Sequence, residues 1–107
     1  MELSIEVVRE LLCSSKAPSS QGDTLFNTGS CYFIRTVTYH SLGRIVAISP
    51  TEIHLTDASW IPDSGRFSDF IKSGKLNEVE PVGAMIVSRG AIVDAFPWTH
   101  PLPTDQK

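Results

Sequence analysis

Residues 31–60 read CYFIRTVTYHSLGRIVAISPTEIHLTDASW, and this stretch decides the fold. It contains three runs rich in β-branched and aromatic residues, 31–39, 43–48 and 52–56, separated by short turns. Such runs are typical of β-strands, and short turns between neighbouring runs indicate antiparallel pairing. We therefore predict a mainly β, α+β fold, with a small antiparallel meander or partly open barrel of about five strands.

A short helix is predicted over residues 66–73, after a turn rich in small polar residues. Asp63 or Ser64 is placed to cap its first turn, and Gly74 stands where a helix commonly ends on a glycine. Apolar side chains recur at helical spacing and should form the buried stripe of this helix: Phe67, Phe70 and Ile71.

The segment after this helix, residues 76–95, combines a predicted connection with two strand-like runs. Residues 76–83 predict an acidic connection, because Pro81 interrupts regular structure. Residues 84–88 and 91–95 are strand-like, and the pattern allows either a hairpin or one strand with a bulge at the intervening glycine.

The chain divides into four predicted parts. Residues 1–16 form an amphipathic helix for docking or oligomerisation, 17–30 a loop, 31–98 a single β-rich domain, and 99–107 a flexible tail. The helix prediction depends on one apolar stripe at helical spacing: Ile5, Val8, Leu11 and Leu12.

Composition excludes several classes of protein. A chain of 107 residues with a net charge of −3 disfavours binding to duplex nucleic acid, which usually requires a basic surface. Apolar runs are much shorter than the ~20 residues that cross a bilayer, and the first residues lack the basic start of a signal peptide. Cys13 and Cys31 have no CxxC partner and are expected to be reduced. These features predict a cytoplasmic protein with no membrane partner.

No motif in the chain predicts catalysis or a metal site. His40, His54 and His100 are scattered, with no ligand spacing typical of zinc, and no GxSxG motif is present. We therefore expect no enzymatic activity, no cofactor, no metal and no catalytic residues.

Arginines beside glycines in turns and aromatic residues near them favour an anionic, aromatic ligand. Arg35 is a particular case, because a guanidinium in the middle of a strand requires a partner. That partner is either an acid, such as Asp57, Glu80 or Asp94, or the ligand itself. The candidate ligand-binding residues are Arg35, Tyr39, His40, Arg44, Trp60, Arg66, Arg89 and Trp98.

Eight positions along residues 34–71 form a pattern: Arg35, Gly43, Leu55, Asp57, Ala58, Trp60, Gly65 and Ser68. In this pattern the segment resembles a family of small β-rich proteins found in phages and bacteria. The similarity covers about a third of the chain, and Ile61 and Pro62 stand where the family has aromatic residues. The resemblance implies a phage association but supplies no function.

Three functions are compatible with these features. The first is an anti-defence sponge, a homo-oligomer in the host cytoplasm that sequesters a small anionic nucleotide signal without cleaving it. The second is a protein–protein inhibitor or a minor virion component. The third is a small cyclic-nucleotide hydrolase, in which His40 and His54 would supply acid–base groups.

Overall fold

A computed structural model describes residues 25–107. The helix predicted over 1–16, Cys13 and most of the loop predicted over 17–30 lie outside this range. The described elements follow one another as β1 (Cys31–Thr36), β2 (His40–Ile48), β3 (Glu52–Asp63), α1 (Phe67–Ser73), β4 (Glu78–Ser88), a 3-10 turn (Arg89–Ala91) and β5 (Ile92–Pro97).

The five strands form one open antiparallel sheet in the order β4-β3-β2-β1-β5. This confirms a mainly β protein with one short helix after the third strand. β1 to β4 form a meander, as predicted, whereas β5 pairs with β1 at the edge of the sheet opposite β4. Residues 84–88 and 91–95 therefore form neither a hairpin nor one bulged strand, because they lie at opposite edges of the sheet.

Only three residues connect these opposite edges. The turn Arg89–Ala91 is held against the connection between β2 and β3, where Arg89 Nη1 donates to the Ser49 carbonyl oxygen at 2.8 Å. The Arg89 backbone N–H donates to the Thr51 carbonyl oxygen at 2.9 Å. Because a three-residue turn is short, the sheet must curl toward itself at this end.

Several predicted strand boundaries are wrong. β2 begins at His40, three residues before its predicted start, and β5 ends at Pro97, two residues after its predicted end. β1 ends at Thr36, because residues 37–39 make a turn in which the Thr36 N–H donates to the Tyr39 carbonyl oxygen at 3.0 Å. β3 continues to Asp63, seven residues beyond the predicted end. A register shift between Leu55 and Ala58 lets the strand continue, because the extra residues are absorbed in a bulge.

The predicted connection over 76–83 is also wrong, since most of it belongs to β4. Pro81 lies opposite Ser59 in this strand. An edge strand tolerates a proline because the missing N–H need not serve a second neighbour. Proline therefore marks an edge here rather than a loop.

α1 begins at Phe67 and ends at Ser73 as predicted, and Gly74 follows as its C-cap with a φ of 76°, the left-handed conformation. The N-cap residue is Arg66, without a side-chain cap, so the prediction of Asp63 or Ser64 is wrong. Asp63 Oδ1 instead accepts from the Gly65 N–H at 3.0 Å. Within residues 25–107, no helix is long and apolar enough to cross a membrane.

Each face of the sheet carries its own apolar cluster. One cluster centres on Ile34 and Ile45, and the other centres on Phe33 and lies under α1. Leu102 packs against the second cluster, and Lys107 exchanges two backbone hydrogen bonds with Val79. The flexibility predicted for residues 99–107 stays a prediction, although the structure lays this segment along the domain.

Candidate functional site

A group of charged and aromatic side chains surrounds Arg35, near the end of β1. Its register partners are His40 of β2 and Asp94 of β5, so the return of β5 to β1 places a carboxylate beside the guanidinium. Arg35 Nε and Nη2 donate to the two Asp94 carboxylate oxygens at 2.7 and 2.6 Å. This is a bidentate ion pair, and it selects Asp94 among the three acids that the sequence left open.

Two phenylalanines frame the same guanidinium. Arg35 Cζ lies 5.8 Å from the ring centroid of Phe67 and 5.4 Å from that of Phe96. The two rings meet edge to face at 5.1 Å. Cation–π attraction and the bidentate pair together restrict the Arg35 side chain, yet 37% of it remains exposed to solvent.

The ion pair changes the charge behaviour of both partners. The hydrogen bond to Asp94 raises the pKa of Arg35, and the hydrogen bond from Arg35 lowers the pKa of Asp94. Both groups are therefore charged at neutral pH, and the pair as a whole has no net charge.

His40 lies beside this pair and is partly buried. Its ring packs edge to face on Phe33 at 5.3 Å, and its Nδ1 lies 3.4 Å from Ser64 Oγ. Burial lowers the pKa of His40, and the positive charge of Arg35 lowers it further, while Asp94 opposes the change. His40 is therefore a neutral hydrogen-bonding group at neutral pH rather than a cation.

Arg66 supplies the free cation of this region. It directly precedes Phe67, its side chain is exposed, and it makes no side-chain hydrogen bond or ion pair with another residue of the part that the structure describes. Phe67 is 43% exposed, so the prediction that it is buried with Phe70 is wrong. The short helix turns Phe70 toward the core and leaves the Phe67 ring over Arg35.

Tyr39 and Trp60 lie on the opposite face of the sheet. Residues directly opposite one another in antiparallel strands share a face. Trp60 is opposite Ser41, which is opposite Ile34, whereas Arg35 alternates with Ile34 and points the other way. The Tyr39 and Trp60 rings contact each other at 5.1 Å, and both are partly exposed.

The remaining predicted residues are dispersed. Arg44 Nη1 donates to Asp57 Oδ2 at 2.8 Å, beside a groove of about 450 Å³. Arg89 holds the β2–β3 connection, as described above. Trp98 is 5% exposed and stacks on Phe33 at 5.9 Å, so it has little surface to offer a base.

The structure thus gathers Arg35, His40 and Arg66 in one region and separates the other five predicted residues from it. Sequence reasoning missed Phe67 and Phe96 as site residues. Phe67 directly follows Arg66 in the sequence, but Phe96 carries no local signal, because only the β1–β5 pairing brings it to Arg35. Among residues 25–107, no three histidine, cysteine or acidic side chains are grouped as metal ligands would be.

No protein-family model, no curated protein and no solved structure matches this chain.

Proposed function

We propose that this domain binds a small anionic nucleotide-like molecule and sequesters it without turning it over. The juxtaposition of Arg66, Phe67 and Arg35 carries the proposal. Arg66, which is exposed and directly precedes Phe67, has no side-chain partner among the described residues, and the half-exposed Phe67 ring covers the Arg35 guanidinium. Arginine binds phosphate in a planar, bidentate manner, and an exposed aromatic ring stacks on a base.

The contacts of each side chain indicate its role in binding the ligand. Arg66 contacts the phosphate, because Arg35 already has two of its N–H donors on Asp94. Phe67 stacks on the base, and neutral His40 offers a hydrogen bond. In this proposal the protein is a phage-type anti-defence sponge in the cytoplasm of the host cell, a homo-oligomer, and its curled sheet is a partly open barrel.

A thermal-shift screen tests this function. The purified chain is mixed separately with cyclic dinucleotides, cyclic trinucleotides and cyclic ADP-ribose isomers, and each mixture is denatured and analysed by chromatography. Free ligand at 100 times Kd stabilises the native state by about 2.7 kcal/mol. For a domain of this size, that free energy raises Tm by about 10 °C or more. The ligand should be recovered intact.

Matched variants locate the site. Arg66→Ala should abolish the shift, whereas Lys75→Ala should not, since Lys75 is also an exposed cation but lies beyond the other end of α1. A shift that survives Arg66→Ala but disappears in Trp60→Ala would place the ligand on the other face and contradict the proposed site. Recovery of a cleaved ligand would instead support the hydrolase.

The exposed Tyr39–Trp60 pair favours a second function, a protein–protein module. Aromatic residues are enriched in the centres of protein interfaces. This function predicts no thermal shift with any nucleotide and a stable complex with a macromolecule that Trp60→Ala weakens. The two functions therefore differ both in the ligand and in the face of the sheet that binds it.

A further inference from the structure

The two edges of the sheet are protected differently. At the β4 edge, Val79 and Lys107 exchange two backbone hydrogen bonds, at 3.0 and 2.9 Å. Pro81 in the same strand has no N–H to offer. At the outer edge of β5, by contrast, no strand within residues 25–107 forms a pairing.

The direction of the free backbone groups follows from one hydrogen bond. The Trp98 N–H donates to the Cys31 carbonyl oxygen of the neighbouring chain segment at 2.9 Å. Groups that point toward a given neighbour alternate along an antiparallel strand, so those of Phe96 and Asp94 also point to β1. The N–H and C=O of Ala95 therefore point outward, and Pro97 adds a second outward carbonyl.

The surroundings of this edge are apolar. Val93 stands at the bulge of β5 and is 63% exposed. A groove of about 600 Å³ follows the strand, and Leu25, which is almost fully exposed, forms part of its wall. An unpaired edge with apolar side chains is a site of strand addition unless a partner covers it.

We propose that β5 pairs antiparallel with β5 of a second copy of this chain, around a twofold axis at Ala95. Any strand can pair with itself in this way, and this register sets Ala95 opposite itself and Asp94 opposite the partner's Phe96. Asp94 is the only charged residue of β5, and Arg35 already neutralises it. The interface therefore buries no unpaired charge.

This pairing also has a consequence for ligand binding, and that consequence rests on the proposed function. A twofold axis perpendicular to the sheet keeps both Arg66–Phe67 sites on the same face. The two β1 strands lie three strand spacings apart, about 14 Å. Because each site is tied to its own β1 through the Arg35–Phe67 contact, a ligand with two separated phosphates that spans this distance contacts both sites, so the dimer binds it more tightly than either chain alone.

Light scattering coupled to size exclusion tests the pairing on the full chain without ligand. We expect a mass about twice the 11.7 kDa of one chain. Val93→Lys places a charge at the β5 edge and should raise the dimer Kd at least about tenfold, a loss of about 1.4 kcal/mol. Ile86→Lys is the matched control, because Ile86 lies on the other edge strand and is 62% exposed. It should leave the Kd unchanged.

Hydrogen exchange of the Ala95 amide in the unmodified protein provides the second readout and does not depend on whether Val93→Lys folds. Exchange should slow as protein concentration rises, because pairing protects the outward N–H.

A monomer at all concentrations overturns the pairing, and so does a dimer that Ile86→Lys weakens as much as Val93→Lys. Protection of Ala95 in a monomer also overturns it and assigns the edge to residues 1–24. Absence of nucleotide binding would leave the dimer unaffected, so the two proposals fail separately.

Discussion

Replacing Asp94 by asparagine tests how Arg35 is held. Asp94→Asn keeps the size of the side chain and removes its charge, so Arg35 loses its ion-pair partner and keeps at most one acceptor oxygen. The free energy of unfolding should fall. Arg35 should also become available to an anionic ligand, so a nucleotide that binds the site should bind Asp94→Asn at least as tightly as the unmodified protein.

The magnitude follows from geometry and exposure. Two charge-assisted hydrogen bonds at 2.7 and 2.6 Å would each contribute about 1.5–3 kcal/mol if they were buried. Both side chains are more than one third exposed, 37% and 36%, so solvent screens most of that energy. We therefore expect a loss of about 1 kcal/mol, or a decrease in Tm of about 4–8 °C.

Urea denaturation of Asp94→Asn beside Asp57→Asn provides the assay. The Arg44–Asp57 pair has a single hydrogen bond and is 42% and 64% exposed, so its loss should cost less than about 0.5 kcal/mol. Asparagine tolerates the positive φ of Asp57, so Asp57→Asn adds no backbone strain to the loss of the ion pair, and the stability losses of the two variants can be compared directly. Equal losses in the two variants would refute the reasoning from geometry.

The pH dependence supplies an internal check on the same variant. The hydrogen bond from Arg35 lowers the folded-state pKa of Asp94, so its stabilisation is present above the unfolded pKa of about 3.9. It is lost as pH falls through the folded pKa. The unmodified protein and Asp94→Asn should therefore differ at neutral pH and converge in acid below about pH 4.

Three further predictions concern single residues. Ser59 Oγ is buried without a hydrogen-bond partner among the described residues, so Ser59→Ala should raise the free energy of unfolding by about 1 kcal/mol in urea titration. Burial lowers the folded pKa of His40 below the unfolded value of about 6.5, so stability should fall as pH decreases from 7 toward 5, and His40→Gln should flatten that profile. Gly74→Ala should cost about 1 kcal/mol or more, because φ is 76° and the new Cβ would lie 2.8 Å from His100 Cβ; a melting temperature unchanged from the parent would contradict this.

Much of the fold is local in origin and was therefore predictable. The turn at Ser49 and Pro50, the alternating residues of β3 and the glycine that ends α1 are all set by residues close in sequence. Strand lengths were predicted less well. The bulge before Ala58 and the proline inside β4 are tolerated because of their positions in the sheet, which short-range patterns do not encode.

The candidate site likewise depends on contacts between residues that are distant in sequence. Arg66 and Phe67 are adjacent in sequence, yet their role in the candidate binding site depends on Arg35, which lies about thirty residues earlier. The choice of Asp94 among three possible acids depends on β5 crossing to β1, a pairing over 59 residues. Tyr39 and Trp60 were expected near Arg35, but alternation along the strands places them on the other face.

By itself, the sequence determined a mainly β domain, its first three strands, its short helix and the positions of arginine and aromatic residues near its turns. Those features follow from side-chain shape, alternation and turn chemistry, which act over a few residues. Only the tertiary structure decided which arginine is paired, which is free and which edge is open. Those outcomes depend on strand order and register, which arise from packing both faces of the sheet at once.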